Sequence, residues 1–288
     1  MPARALLIGS GYGGLPVDPG VDRVAAWLHT RAFAPAELHR LTGAAATRAQ
    51  ILAGLADLAA RDHGDAPVVV YYAGHGYLYR SGGDADGYDH IATPLLVPVG
   101  LRRTAAGIQY GLLAHEFTRA LQAIAARARN LTVILDCCHA AAMLHLDADP
   151  EPISPRDYLH PPNNLHTPNN LHTPDPLAHV VVLTASSAGG RAHVDPVRES
   201  LIFTDALLAA VARCPTWDAA LADARGQVQA VFPAQQPGLF GPRFRRPLGL
   251  DEQLPAGELF HVEHAADGPP MLLAGAARDL HLDDEFDL

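Results

Sequence analysis

Two short apolar runs in this chain each hand over at once to a reactive side chain. The first reads Val68-Val69-Val70-Tyr71-Tyr72-Ala73-Gly74-His75-Gly76, and the second Leu131-Thr132-Val133-Ile134-Leu135-Asp136-Cys137-Cys138-His139-Ala140. Both are rich in β-branched residues and hydrophobic on both faces, as a strand buried inside a parallel sheet must be. Open sheets of this kind bind ligands beyond the carboxyl ends of their strands. His75 and Cys138 are therefore placed to meet across one crevice. A Cys-His pair is the minimum equipment for thiolate chemistry. Strand alternation sends Cys137 and Cys138 to opposite sides, so only one faces the crevice. Cys137 reads as a small buried hydrophobe, and Cys214, just before Pro215, as a structural residue.

The segments around these runs alternate between strand and helix patterns. Ala5-Leu6-Leu7-Ile8-Gly9 is a strand ending in a glycine-rich turn. Val21 to Thr30 has helical spacing, and Leu38 to Leu41 is a short strand. Thr47 to Asp62 is an amphipathic helix that Thr47 can cap. Leu95 to Val99, interrupted by Pro98, suits an edge. Leu112 to Asn130, Ser200 to Arg213 and Thr216 to Phe232 read as helices, Val180 to Thr184 as another buried strand, and Leu248 to Leu250 as a closing segment. Strand-helix-strand order repeated in this way implies an α/β fold with a mostly parallel sheet and helices on both faces. Residues 1–250 form one domain in this reading, and 251–288 a C-terminal extension.

Composition excludes several classes. With 49% hydrophobic and 18% charged residues, the chain of 288 residues has ample core. A net charge of −10 argues against non-specific nucleic-acid binding and is compatible with basic protein substrates. No apolar run approaches the roughly 20 residues that cross a bilayer, and no leader pattern precedes the first strand. Three cysteines, two of them adjacent, make no disulfide framework, which points to a reducing cytoplasm. Cys137, Cys138 and His139 lack zinc-ligand spacing. Asp84, Asp86 and Asp89 alternate as calcium ligands do, but without the terminal Glu of an EF-hand they read as a solvated acidic turn. No metal or cofactor is expected.

Residues 144–178 break the pattern. They are rich in Pro, Asn and His and carry a tandem repeat, Pro162-Asn163-Asn164-Leu165-His166-Thr167 followed by Pro168-Asn169-Asn170-Leu171-His172-Thr173. Such composition favours turns and extended chain over regular elements.

The Tyr-Tyr-Ala-Gly-His-Gly and Asp-Cys-Cys-His-Ala segments resemble the two catalytic motifs of the caspase-like cysteine peptidases, most closely the metacaspases and their bacterial relatives. His75 and Cys138 are 63 residues apart, near the ~50 of caspases. Supporting likenesses run along most of residues 1–250: Ala5 to Gly9, Gly20 to Val24, Asp84 to Asp89, Leu183 to Ser187 and Ile202 to Leu208. The resemblance implies a three-layer caspase-like fold and a cysteine endopeptidase with Cys138 as nucleophile and His75 as general acid/base. It implies an oxyanion site from the backbone N–H groups of Gly76 and Cys138. It also implies an S1 pocket lined by Asp22, Asp136 and Ser186 that takes Arg or Lys. Read from the residues alone, Asp136 is a strand-end acid capping nearby backbone, and Asp22 an ordinary first-turn helix acid. Metacaspases commonly carry an acidic pair that helps bind calcium; Leu113-Ala114-His115-Glu116 stands there instead, which puts calcium control in doubt. The 144–178 loop falls where relatives carry a cleavable linker, so a latent enzyme cut at Arg156 is expected, with an upstream protease or a regulatory protein as partner. The alternative is a catalytically silent caspase-like scaffold, against which retention of both His75 and Cys138 counts.

Overall fold

The computed structural model describes residues 1–80, 92–104, 107–144, 176–195 and 198–253, together with two short paired strands at 262–263 and 271–272. The Asp84–Asp89 turn, the repeat and Arg156 lie outside the described residues.

A six-stranded sheet organises the domain. Its strands are β1 (Arg4–Gly9), β2 (Leu38–Leu41), β3 (Val68–Ala73), β9 (Leu131–Asp136), β10 (Val181–Thr184) and β13 (Gly238–Phe240). The order across the sheet is β13-β10-β9-β3-β1-β2. All neighbours are parallel except β13, which runs antiparallel to β10 at one edge. The expectation of a mostly parallel α/β sheet with helices on both faces holds.

Among the described residues five α-helices cover the sheet: α1 (Asp18–His29), α2 (Arg48–Ala59), α3 (Ala114–Ala125), α4 (Ile202–Val211) and α5 (Trp217–Val231). The alternation of side chains along the strands divides them between two cores. Leu6, Ile8, Val70, Tyr72 and Val133 pack with α2 and α3. Leu7, Val69, Tyr71 and Ile134 pack with α1, α4 and α5. Every residue of β3 is buried, so apolar alternation cannot set its register. Two phenols do. Tyr71 and Tyr72 point to opposite layers, and each finds a hydrogen-bond partner there, Thr204 Oγ1 at 2.8 Å for Tyr71 and the His75 carbonyl at 2.9 Å for Tyr72. A slip by one residue leaves both buried hydroxyls unpaired, at about 1–3 kcal/mol each.

Several boundaries differ from the sequence reading. Helix α1 begins three residues early, because Pro19 is well suited to a first turn. Leu112–Leu113 (β8) and Ser200–Leu201 (β12) are strands where helix was expected. Beyond His75 the chain continues as β4 (Gly76–Arg80), which pairs with β5 (Ala92–Leu96); β5 also pairs with β8 in a separate three-stranded sheet. Two small hairpins, β6–β7 (Arg102–Thr104 with Gly107–Gln109) and β11–β12 (Val194–Asp195 with Ser200–Leu201), complete the domain. The closing strand is β13 rather than Leu248–Leu250; Leu248 instead has a left-handed backbone (φ 64°). In the extension, β14 (Val262–Glu263) pairs with β15 (Met271–Leu272). Among the described residues no helix is long and apolar enough to cross a membrane.

Thr47 caps α2 as its position suggested, accepting the Gln50 N–H at 3.3 Å. Replacing it with Ala should cost about 1 kcal/mol in chemical denaturation; an unchanged midpoint would remove the cap from the account of α2.

Candidate active site at the carboxyl end of the sheet

The register of the two central strands fixes the site. Ala73 lies opposite Asp136, and the pairing continues past the strand ends, where Gly74 N–H donates to the Asp136 carbonyl at 3.2 Å. Two residues further on, Gly76 presses against Cys138: a Cβ placed on Gly76 would lie 1.8 Å from the Cys138 carbonyl oxygen. His75 and Cys138 therefore sit at neighbouring strand ends, on chain segments in direct contact, and both are half-buried.

The His75 turn is wedged from below. The Tyr72 hydroxyl donates to the His75 carbonyl, accepts the Val97 N–H at 3.1 Å, and would stand 2.6 Å from a Cβ on Gly74. Burial pushes the Tyr72 phenol well above its ordinary pKa, so it remains a neutral donor. Ser10 Oγ anchors the same Val97 through its carbonyl at 2.6 Å. Sequence reasoning gave Tyr72 no role; a tyrosine two residues before a Gly-His-Gly turn, in a strand buried on both faces, was the available signal.

The cysteine turn is held from the next strand. Cys137 is buried in the α2/α3 core, and burial raises its thiol well above the usual range. It is the packing residue that alternation predicted. Cys138 Sγ, on the other side, donates to the Ala192 carbonyl at 3.7 Å. His139 adopts a left-handed backbone (φ 57°), a conformation costly for a residue with a side chain. Its N–H bonds the Gly190 carbonyl at 2.9 Å and its Nδ1 lies 3.0 Å from the Ala188 carbonyl. Burial depresses the pKa of this imidazole. Cys214 is half-buried against the other core.

The three residues expected at S1 each have partners of their own. Ser186 is fully buried, its hydroxyl donating to the Cys137 carbonyl at 3.0 Å and accepting Ala140 N–H at 3.2 Å. It fastens the cysteine turn, and its one proton is spent on the Cys137 carbonyl. Asp22 is exposed on α1 and ion-paired with Arg40 of β2. Asp136 is 1% exposed and faces α4. Its Oδ2 accepts both the Thr204 N–H (3.0 Å) and the Thr204 hydroxyl (2.6 Å), while its Oδ1 is buried with no hydrogen-bond partner among the described residues. Helix α4 lacks a side-chain cap of its own, since its N-cap is Leu201. Asp136 supplies that cap from a strand, as its bland reading allowed. Beside it, Asp205 pairs with Arg23 of α1 at 2.6 Å.

The stretch that would replace the family's calcium-binding acids offers no free carboxylate. One oxygen of Glu116 pairs with Arg48, and the other accepts the Leu113 N–H at 3.1 Å. These residues do not fit a hard cation, which needs several oxygen ligands. Among the described residues no three His, Cys, Asp or Glu side chains form a cluster able to hold a metal.

The sequence profile of the caspase domain (peptidase C14) matches residues 4–248. This chain belongs to the caspase-domain family. A crystal structure of protein GSU0716 from Geobacter sulfurreducens has the same caspase-like fold, with a TM-score of 0.58 at 19% identity over 88% of this chain and 100% of that one. No curated protein matches.

Two predictions follow from this caspase domain's geometry. Gly76→Ala forces the two strand ends apart and should cost about 3 kcal/mol, whereas Gly189→Ala, with nothing within 4 Å of the added Cβ, should leave the melting temperature unchanged; equal behaviour of the two would contradict the contact. Burial raises the Asp136 carboxyl to about 6, opposed by the Thr204 bonds and reinforced by Asp205. The folded chain then holds this proton more tightly than the unfolded chain. The stability it contributes is complete below about pH 4 and is lost as pH rises through 6, on the order of 3 kcal/mol. Asp136→Asn should flatten the dependence of the urea midpoint on pH across that window; an unaltered slope would show that Asp136 does not titrate there.

Proposed function

We propose that this caspase domain is a cysteine endopeptidase that cleaves protein substrates after Arg or Lys through a Cys138-His75 dyad. The observation that carries the reading is the contact of Gly76 with the Cys138 carbonyl, which brings the imidazole-bearing and thiol-bearing strand ends together. In the proposed reaction His75 takes the Cys138 proton, and the thiolate bonds to the scissile carbonyl carbon. The displaced electron pair moves to oxygen, where the N–H groups of Gly76 and Cys138 receive it. The C–N bond breaks as His75 returns the proton to the leaving amine. Water, losing a proton to His75, then opens the thioester, releasing the acid and restoring the thiol.

Basic specificity rests on Asp136, whose Oδ1 is an acceptor without a partner among the described residues. Asp22 is not needed for this reading, because its carboxylate is engaged by Arg40. Latency is part of the proposal. Cys138 is parked as a thiol on the Ala192 carbonyl, and a cut at Arg156 in the 144–178 loop, by an upstream protease or the enzyme itself, is the expected release. The setting is cytoplasmic, with no cofactor and no membrane or nucleic-acid partner.

Cleavage of a peptide panel with Arg, Lys or Asp at P1 tests the reading, with and without calcium. Cys138→Ala and His75→Ala should each abolish turnover, while Cys137→Ala should keep most of it. A wild-type protein cut at Arg156 that still labels with no thiol-directed peptidyl probe would overturn the enzyme reading in favour of a silent scaffold.

A further inference from the structure

We infer that Thr204, itself held by Tyr71, is a positioning residue for P1 specificity: it pins one oxygen of Asp136 so that the other is kept free as the acceptor for a cationic side chain. The inference rests on the reading of Asp136 as the P1 acceptor.

The geometry is a chain of three buried side chains. Tyr71, fully buried on β3, places its hydroxyl 2.8 Å from Thr204 Oγ1. A hydroxyl has one proton to give, and Thr204 gives its proton to Asp136 Oδ2 at 2.6 Å. The Tyr71 proton must then point at Thr204 Oγ1, because that oxygen's own proton is spent. The Thr204 backbone N–H adds a second bond to the same carboxylate oxygen. All the donors therefore converge on Oδ2, and Oδ1 has none among the described residues.

An ionised carboxylate so lopsided is expensive to bury. A guanidinium or ammonium at Oδ1 relieves that cost, and the charge-assisted bond it forms is stronger than a neutral one. Four other groups in this neighbourhood set the local field. Tyr71 is neutral, because burial raises its pKa well above the ordinary value. Cys137, next in the chain, is neutral for the same reason. Asp205 of α4 forms an ion pair with Arg23 of α1. No cation in this set bonds Asp136 directly, so the Thr204 donors are what favour its charged form.

Without the Thr204 hydroxyl, Oδ2 loses its shorter bond and the carboxyl both rotates more freely and holds its proton to higher pH. A neutral acid does not attract a cation. The test compares kcat/KM for a peptide amide with Arg at P1 and its twin with citrulline, which has the same shape without the charge. Thr204→Val should lower the Arg-to-citrulline ratio roughly ten- to hundred-fold, mainly through KM. It should also move the acid limb of the Arg profile to higher pH. Thr204→Ser should restore both, and Tyr71→Phe should shift both in the same direction by less. Infrared titration of the Asp136 carboxyl in the free protein gives a readout independent of turnover, and should show the same upward shift in Thr204→Val. A ratio and a titration unchanged in Thr204→Val, with wild type selective for Arg, would overturn this inference alone. A wild-type enzyme indifferent to the Arg–citrulline exchange would instead overturn the basic-P1 reading on which it rests.

Discussion

Two consecutive tyrosines hold the two halves of this site. Tyr71 and Tyr72 leave β3 in opposite directions, and each phenol ends on a different part of the candidate machinery. Tyr72 supports the turn that carries His75, and Tyr71 supports the threonine that holds Asp136. Both rings are fully buried. Their hydroxyls must therefore be paired, and this need sets the register of a strand whose hydrophobicity cannot set it. Once β3 is in register, β9 follows by ladder pairing from Val68↔Leu131 to Ala73↔Asp136. The meeting of Gly76 with Cys138 is the next step along those same two chains.

The architecture was legible because each core strand announces itself. The runs at 68–73 and 131–136 are too apolar to face water on either side, and only a sheet covered on both faces accommodates them. The starts of α2 and α5 were legible from Thr47 and Thr216, whose side chains accept the N–H groups of Gln50 and Ala219. Short pieces were not legible. Leu112–Leu113 and Ser200–Leu201 have the composition of the helices they precede, and only pairing, with β5 and with β11, makes them strands. β13 is a three-residue edge strand after a proline, with no periodicity to read.

The candidate site was legible in its residue types and less so in its contacts. His75 and Cys138 follow from strand-end position, and Cys137 from alternation. Ser186 and Asp22 show what one dimension hides. A serine after a buried strand serves equally as a substrate contact or as a clip on a neighbouring turn; nothing in one dimension tells that its hydroxyl meets the Cys137 carbonyl. Asp22 is a helical residue with one neighbour on each side of the face it occupies. The helical spacing that turns Val21 into the core turns Asp22 away from it by about 100°, towards Arg40, but no spacing names Arg40 as its partner.

Asp136 joins the two functions that the sequence offered as rivals. As a cap, it stabilises the first turn of α4 by accepting the Thr204 N–H. As an acceptor, it keeps a second oxygen unpaired. A carboxylate has two oxygens and about four acceptor positions, so the roles do not compete for the same lone pairs. Capping alone does not explain the asymmetry. Any rotation of the carboxylate that shared the two Thr204 donors between its oxygens would lessen the cost of burial, and the Tyr71-supported hydroxyl opposes that rotation. The strand that leads to Cys138 and helix α4 are thus tied at one side chain. On this account, occupation of Oδ1 by a cation would be felt two residues away, where Cys138 rests its proton on the Ala192 carbonyl.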